Sequence, residues 1–290
     1  MVATPAMEVS GALRFTNRWP VPTVAAAVVL PDGSVSTIGD VGHQFRLASI
    51  SKMMVGWAAL IAAEEGTVAL EQPVGQEGCT LRHLLAHAGG YSFDGPAPIA
   101  KPGQRRIYSN TGIELAADAI GEAAGMPFEQ YLREAVFEPL GMAGTALKGS
   151  PAYAVWSTVA DLVAFVHELR APRLVSAESA LAFRTPQFPE LSGLVPGVGR
   201  FDPCPWGLGA EIKGAKEPHW TGTRNSPATF GHFGGAGTLL SVDPGAHIAL
   251  VALTDRPFDE WASDALTLWR EFADAALSAV GAAAAGGAPA

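Results

Sequence analysis

The chain is poor in the features that would direct it to metal, membrane or nucleic acid. It has two cysteines in 290 residues, Cys79 and Cys204. They lie far apart and outside any zinc-type spacing, so two reduced, buried thiols are expected rather than a disulfide scaffold. Charged residues make up only 16% of the chain, with 19 Lys and Arg against 28 Asp and Glu, a formal charge of −9. No basic run occurs, and a chain this acidic is repelled by phosphate backbones and anionic lipid, which argues against nucleic-acid and membrane partners. No apolar run approaches the roughly 20 residues that cross a bilayer; the longest early one, residues 24–30, stops at the turn Pro31-Asp32-Gly33. The start, MVATPAMEVSG, has neither the basic residues nor the apolar stretch of a secretion signal, so a cytoplasmic location is expected. A Gly-x-Ser-x-Gly elbow, a Walker A loop and a dinucleotide glycine fingerprint are all missing, which excludes an α/β-hydrolase and argues against nucleotide binding.

What the chain does have is apolar material: 48% of it is hydrophobic, enough for one large domain or two closely packed ones. Strands are expected over residues 23–30 and 35–39, with a short third strand entering Phe45. A helix over residues 49–65 stops at Gly66, and its centre, MMVGWAALIAA, is apolar nearly all round, which predicts a buried helix. Thr80 caps a short helix over 81–87, and a Gly- and Pro-rich loop spans 89–103. Helices follow over 113–124, 128–137, 159–169 (capped by Thr158 with Asp161) and 177–183. Strand patterns return over 207–213, 231–243 and 246–255, before a last helix over 261–280. Strands flanking a helical middle predict an α/β (α+β) architecture. In it, residues 10–70 and 195–280 form a discontinuous sheet domain, residues 71–194 a helical subdomain and residues 281–290 a disordered tail.

Three short motifs could carry chemistry. In Ser49-Ile50-Ser51-Lys52 the helical spacing brings the Ser49 hydroxyl within reach of the Lys52 amine. A serine needs a base, and a lysine serves as one when burial lowers its pKa. In Tyr108-Ser109-Asn110 a phenol beside the lysine cation should lose its proton more easily and relay protons, while Asn110 could hold the lysine or a substrate amide. In His232-Phe233-Gly234 glycine admits a substrate to the strand edge, where backbone N–H groups can face an oxyanion. Four tyrosines and three asparagines give about 0.04 Tyr-x-Asn occurrences by chance, so the middle motif is the most specific.

With these segments in this order, the chain resembles the serine β-lactamase and penicillin-recognising superfamily, in its class C, DD-peptidase and esterase (family VIII) branch. FRLASISK, TLRHLLAHAGG, KPGQRRIYSNTG, FEPLGM, STVADLVAF and GHFGGAG carry the likeness, which extends over residues 22–277. The resemblance implies a β-lactamase/transpeptidase-like fold with an antiparallel sheet flanked by helices. It implies Ser49 as acylated nucleophile, with Lys52 and Tyr108 sharing the base role and Asn110 orienting Lys52 and substrate. The backbone N–H groups of Ser49 and Gly235 would form the oxyanion hole, and His232, Phe233 and Gly234 would help to place the substrate. Three departures stand out. His232 replaces the lysine usual in β-lactamases, which weakens carboxylate anchoring. His87-Ala88-Gly89-Gly90 stands for the family's HTSG, and Tyr153-Ala154, with Trp156 close by, stands for Gly-Gly and should narrow the pocket.

The expected function is that of a serine hydrolase acting through an acyl-enzyme on small esters or D-amino-acid amides, with no metal and no cofactor. One alternative is a DD-carboxypeptidase or β-lactamase acting on peptidoglycan peptides or β-lactams; another is a catalytically idle binding relative. His83 and His87, four apart on a helix, could grip a metal, although the zinc-protease pattern is incomplete. Trp156, Phe188, Trp206, Trp220 and Phe233 are core or pocket candidates. Arg105 and Arg106 are expected as solvated loop charges, and His43, His167, His219 and His247 as ordinary core or surface residues.

Overall fold

The computed structural model describes the backbone of residues 5–286 and the side chains of residues 9–281. Its centre is a six-stranded antiparallel sheet assembled from both ends of the chain. β1 (Val24–Val29) and β2 (Val35–Ile38) come early. β8 (Glu211–Ile212), β9 (Phe230–Gly234), β10 (Thr238–Asp243) and β11 (Ile248–Thr254) come late, in the order β2-β1-β11-β10-β9-β8. β1 pairs with β11 from Val24 opposite Thr254 to Val29 opposite Ala249, which joins the two ends. Small and β-branched residues suit a strand buried on both faces. Because side chains alternate, Ala25, Ala27 and Val29 enter one core while Ala26 and Val28 enter the other.

The second of these cores lies under α1 (Pro5–Leu13) and α8 (Ala262–Gly286), which pack on each other. The first contains α2 (Ser51–Glu64), buried from Ser51 to Ala62 as its all-round apolar pattern predicts. Around it lie α3 (Leu81–Leu85), α4 (Asn110–Ala124), α5 (Phe128–Leu132), α6 (Val159–Arg170) and α7 (Ala177–Phe183). α6 packs on β1 and β11, so this helix of the central segment covers the sheet itself. Gly56 lets α2 meet the 207–210 segment, since a Cβ there would lie 2.0 Å from the Leu208 carbonyl oxygen.

Several boundaries differ from the sequence expectation. The helix expected from residue 49 opens as a 3-10 turn, Ala48–Ile50, before α2; Ala48 stands at φ 49°, a strained conformation for a residue with a Cβ. The strand expected over 207–213 shrinks to β8, because Gly207 and Gly209 press the preceding chain against Phe183 and α2. The strand expected over 231–243 is a hairpin, β9 and β10, turned at Gly237 with φ 81°. The helix expected over 128–137 divides into α5 and a π-helical turn, Arg133–Phe137. α8 runs on to Gly286, six residues past its expected end, through an alanine-rich stretch with the highest helix propensity. The remainder of the expected tail, residues 287–290, lies outside the described residues.

The short third strand expected at Phe45 is β3 (Phe45–Arg46), paired with β5 (Val155–Ser157), which pairs in turn with β4 (Ala146–Leu147); β4, β5 and the hairpin of β6 (Gly193–Val195) and β7 (Gly199–Phe201) carry no sequence signal. Among the described residues no helix is long and apolar enough to cross a membrane. Both cysteines are free and buried.

Candidate active site

Ser49 lies in the 3-10 turn at the start of α2, and β9 holds that turn from below. A Cβ on Gly234 would lie 2.2 Å from the Leu47 carbonyl oxygen, so only glycine lets the strand come this close. The Thr238 hydroxyl donates to the same carbonyl at 2.8 Å. Gly234 is therefore a spacing residue and not part of the cavity wall. At Gly235, the next residue, an added Cβ would meet nothing within 4 Å.

Lys52, one helical turn on, is completely buried. Its Nζ stands 3.1 Å from Ser49 Oγ, 2.8 Å from Asn110 Oδ1 and 2.8 Å from the Ala152 carbonyl oxygen. Burial lowers its pKa from 10.5 to about 7, against a weaker upward pull from Glu114 and Asp94. As a neutral amine it has two N–H bonds for Asn110 and Ala152, leaving its lone pair facing Ser49. Asn110 opens α4, which Ser109 caps by accepting from Gly112 N–H at 2.9 Å. The Asn110 amide nitrogen donates to Asp94 Oδ1 at 3.0 Å, fixing Oδ1 toward the lysine.

The Tyr108 hydroxyl lies 3.3 Å from His232 Nε2 and near enough to Ser49 for the serine to favour the phenolate slightly. Lys52 Nζ sits 4.9 Å from the centre of the phenol ring. Contrary to the sequence expectation, Tyr108 holds its proton more firmly than a free phenol, because desolvation outweighs every other influence. His232 is pushed down to about 3, by burial first and by the Lys52 cation second, so at neutral pH it is an uncharged ring. Its Nδ1 is 2.6 Å from the Phe233 carbonyl oxygen. The proton therefore belongs on Nδ1, and Nε2 accepts from Tyr108.

Ser49, Tyr108, His232, Phe233 and Gly235 line one cavity of about 390 Å³, walled also by Trp206 and Phe258. Lys52 and Asn110 lie beneath it. Of the other aromatic candidates, Trp220 packs behind Phe233 with ring centres 5.8 Å apart, and Phe188 stacks on His83. Tyr153 and Trp156 do not line this cavity, so the expected narrowing does not occur; their segment contributes instead the Ala152 carbonyl that holds Lys52.

His83 and His87 are both committed elsewhere. His83 closes a capping box with Thr80, and His87 Nδ1 accepts from Ser109 N–H at 3.2 Å while its ring lies against Tyr108. Arg106 is buried rather than solvated, donating to the carbonyls of Cys204, Ala86, Gln187 and Phe188. His219 also has partners: its Nε2 is 3.0 Å from Glu211 Oε1 and its Nδ1 2.8 Å from Thr221 Oγ1. Glu211 further takes Lys216 Nζ at 2.6 Å and Trp220 Nε1 at 2.7 Å, and it forms part of the cavity wall. Sequence reasoning does not reach Glu211, Asp94 or Ala152; only the Glu211/Lys216 spacing within one short segment hints at a pair.

A family model described as Beta-lactamase matches residues 14–273. A crystal structure of a β-lactamase from Mycobacterium bovis is 47% identical, covering 93% of this chain and 99% of that one, with a TM-score of 0.90. A simvastatin synthase variant from Aspergillus terreus shares the fold at 18% identity, with 96% of each chain covered and a TM-score of 0.76. Among curated proteins, the D-alanyl-D-alanine-carboxypeptidase/endopeptidase AmpH of Escherichia coli is 27% identical over 143 residues; the match covers only 37% of this chain and 37% of that relative. A sheet closed by both chain ends, a serine on the turn that enters a buried helix, and a family match over nearly the whole length agree: the chain belongs to the β-lactamase family and is, by family, a serine-type hydrolase.

Proposed function

We propose that the chain hydrolyses small carboxylic esters or D-amino-acid amides through an acyl-enzyme on Ser49. The observation that carries this reading is the fully buried Lys52, with its amine 3.1 Å from Ser49 Oγ and a pKa near 7. A neutral Lys52 takes the Ser49 proton as Oγ bonds to the substrate carbonyl carbon. The developing oxyanion faces the backbone N–H groups of Ser49 and Gly235. Tyr108 then gives its proton to the leaving atom as the acyl–heteroatom bond breaks, and the Lys52 ammonium restores the phenol. Water repeats the sequence on the acyl-enzyme and releases the acid. His232 steadies the phenol by accepting from it.

An uncharged His232 in a largely apolar cavity suits an ester or amide better than a ligand whose carboxylate lies beside the scissile bond. A second reading, carboxypeptidase or β-lactamase activity, is favoured by the relative named as a D-alanyl-D-alanine carboxypeptidase. A third, an idle binding relative, has against it the assembled Ser49, Lys52 and Tyr108.

Intact-mass labelling with a fluorophosphonate, followed by peptide mapping, should place the adduct on Ser49, and hydrolysis of p-nitrophenyl butyrate should vanish in Ser49→Ala. Equal background rates in wild type and Ser49→Ala would favour the idle relative. Nitrocefin turnover matching that on the ester would favour the β-lactamase reading.

A further inference from the structure

Beside the catalytic cavity lies a second cleft of about 320 Å³. The two share Phe93, Tyr108 and Pro196, so the second adjoins the first as a side arm along the stacked Phe93 and Tyr108 rings. One wall is the segment around Arg105 and Tyr108, and another is the β6–β7 hairpin, bridged to that segment between Arg106 and Gly193. Phe93, Ile99 and Leu194 line the arm and are 51%, 56% and 54% exposed. Large apolar side chains scattered singly over a surface need no explanation, but three gathered on a cleft that joins a reactive serine mark a ligand surface.

Arg105 and Arg200 stand exposed on the same cleft. Arg200 sits opposite Leu194 in the β6–β7 hairpin, which puts its guanidinium beside the apolar rim. Among the described residues neither guanidinium has a hydrogen-bond or ion-pair partner, in a chain whose acidic residues outnumber its basic ones by 28 to 19. Two free guanidinium groups at the rim of an apolar channel are suited to receive an anion.

We propose that this arm receives the leaving-group side of the substrate, an apolar chain whose far end carries a carboxylate held by Arg105 and Arg200. The inference rests on the hydrolase reading above. The side follows from Tyr108: the group that protonates the leaving atom stands beside it, and the arm runs along the Tyr108 ring.

Three butyrate esters test this: those of ethanol, of octanol and of 8-hydroxyoctanoate, with butyrate release as the readout. In the wild type, kcat/KM should rise about tenfold from ethyl to octyl, and severalfold again for the carboxylate-ended ester. In the Arg105→Gln/Arg200→Gln double variant, the ratio of the carboxylate-ended ester to the octyl ester should fall about tenfold. Release that depends on Ser49 with that ratio unchanged would overturn the inference while leaving the hydrolase reading intact. A gain with chain length on the acyl side only, p-nitrophenyl octanoate over butyrate, would also overturn it. Equal release by wild type and Ser49→Ala from all three esters would bring down the hydrolase reading and the inference together.

Discussion

With a pKa near 7, Lys52 is about half neutral at physiological pH, and in the proposed mechanism only the neutral form can accept the Ser49 proton. The ester rate should therefore rise with pH through about 7 and then level off. His232, with its pKa near 3, adds no second limb above pH 5. A kcat/KM profile on p-nitrophenyl butyrate between pH 5 and 9 checks this, and a profile flat across that range would contradict it. Lys52→Arg, which stays cationic, should lose about 10²–10⁴-fold at every pH. The same shift has a consequence for stability. Between pH 7 and 10.5 the unfolded chain keeps the Lys52 proton while the folded one has released it, so folding strengthens as pH rises through that window. Urea midpoints at pH 7 and pH 9 should move in favour of the wild type relative to Lys52→Met, and a constant difference would contradict the assigned pKa. The Ser49–Lys52 pair is legible in the sequence because helical spacing alone brings two residues three apart together. The direction of the Tyr108 shift is not, because desolvation depends on Trp206, His87 and Phe93 arriving from distant segments. Nor is Arg106, whose four carbonyl partners come from three different stretches of chain.

At the scale of elements, the position of Ser49, the proposed nucleophile, depends on how closely β9 approaches the turn that enters α2. Gly234→Ala would force a methyl against the Leu47 carbonyl and the Thr238 hydroxyl, both within 2.5 Å of the added atom. Overpacking of this kind costs about 1–3 kcal/mol, and here its displacement falls on Ser49. Ester hydrolysis should fall more than stability accounts for, so that the variant still gives a cooperative melt at temperatures where the wild type is fully active but itself shows little acylation by a fluorophosphonate. Normal acylation of Gly234→Ala would show that β9 does not set the turn. Most of these elements are readable: the apolar α2, the capped starts of α3 and α6 at Thr80 and Thr158, and the strands of the sheet. The shortened β8 and the β6–β7 hairpin are not, since Gly207 and Gly209 are fixed by close contact with Phe183 and α2 and not by any local period.

Across the whole molecule, buried charge gathers at the seam where sheet, helical layer and cavity meet. Lys52, Arg106, Glu211 and Lys216 are all buried, and Glu211 forms part of the wall that faces His232 and Tyr108. Lys216 and three neutral donors or carbonyls complete this group: the Lys216 ammonium reaches Glu211 and the Pro205 carbonyl, and His219 and Trp220 share the carboxylate. Burial pushes the Glu211 carboxyl up, but the Lys216 ammonium and the hydrogen bonds from Lys216 and His219 outweigh it and hold the group far below the usual carboxylate range. Removing one partner of a buried pair strands the other, at a cost of about 3–5 kcal/mol, whereas replacing both with neutral groups is far less damaging. Glu211→Gln should therefore unfold at markedly lower urea than wild type, and Glu211→Gln/Lys216→Met should recover part of the loss. A double-mutant cycle on urea midpoints measures the coupling. Additive effects would mean that the ion pair does not hold the cavity wall, and the wall's rigidity would then have to come from Trp206 and Trp220 packing alone.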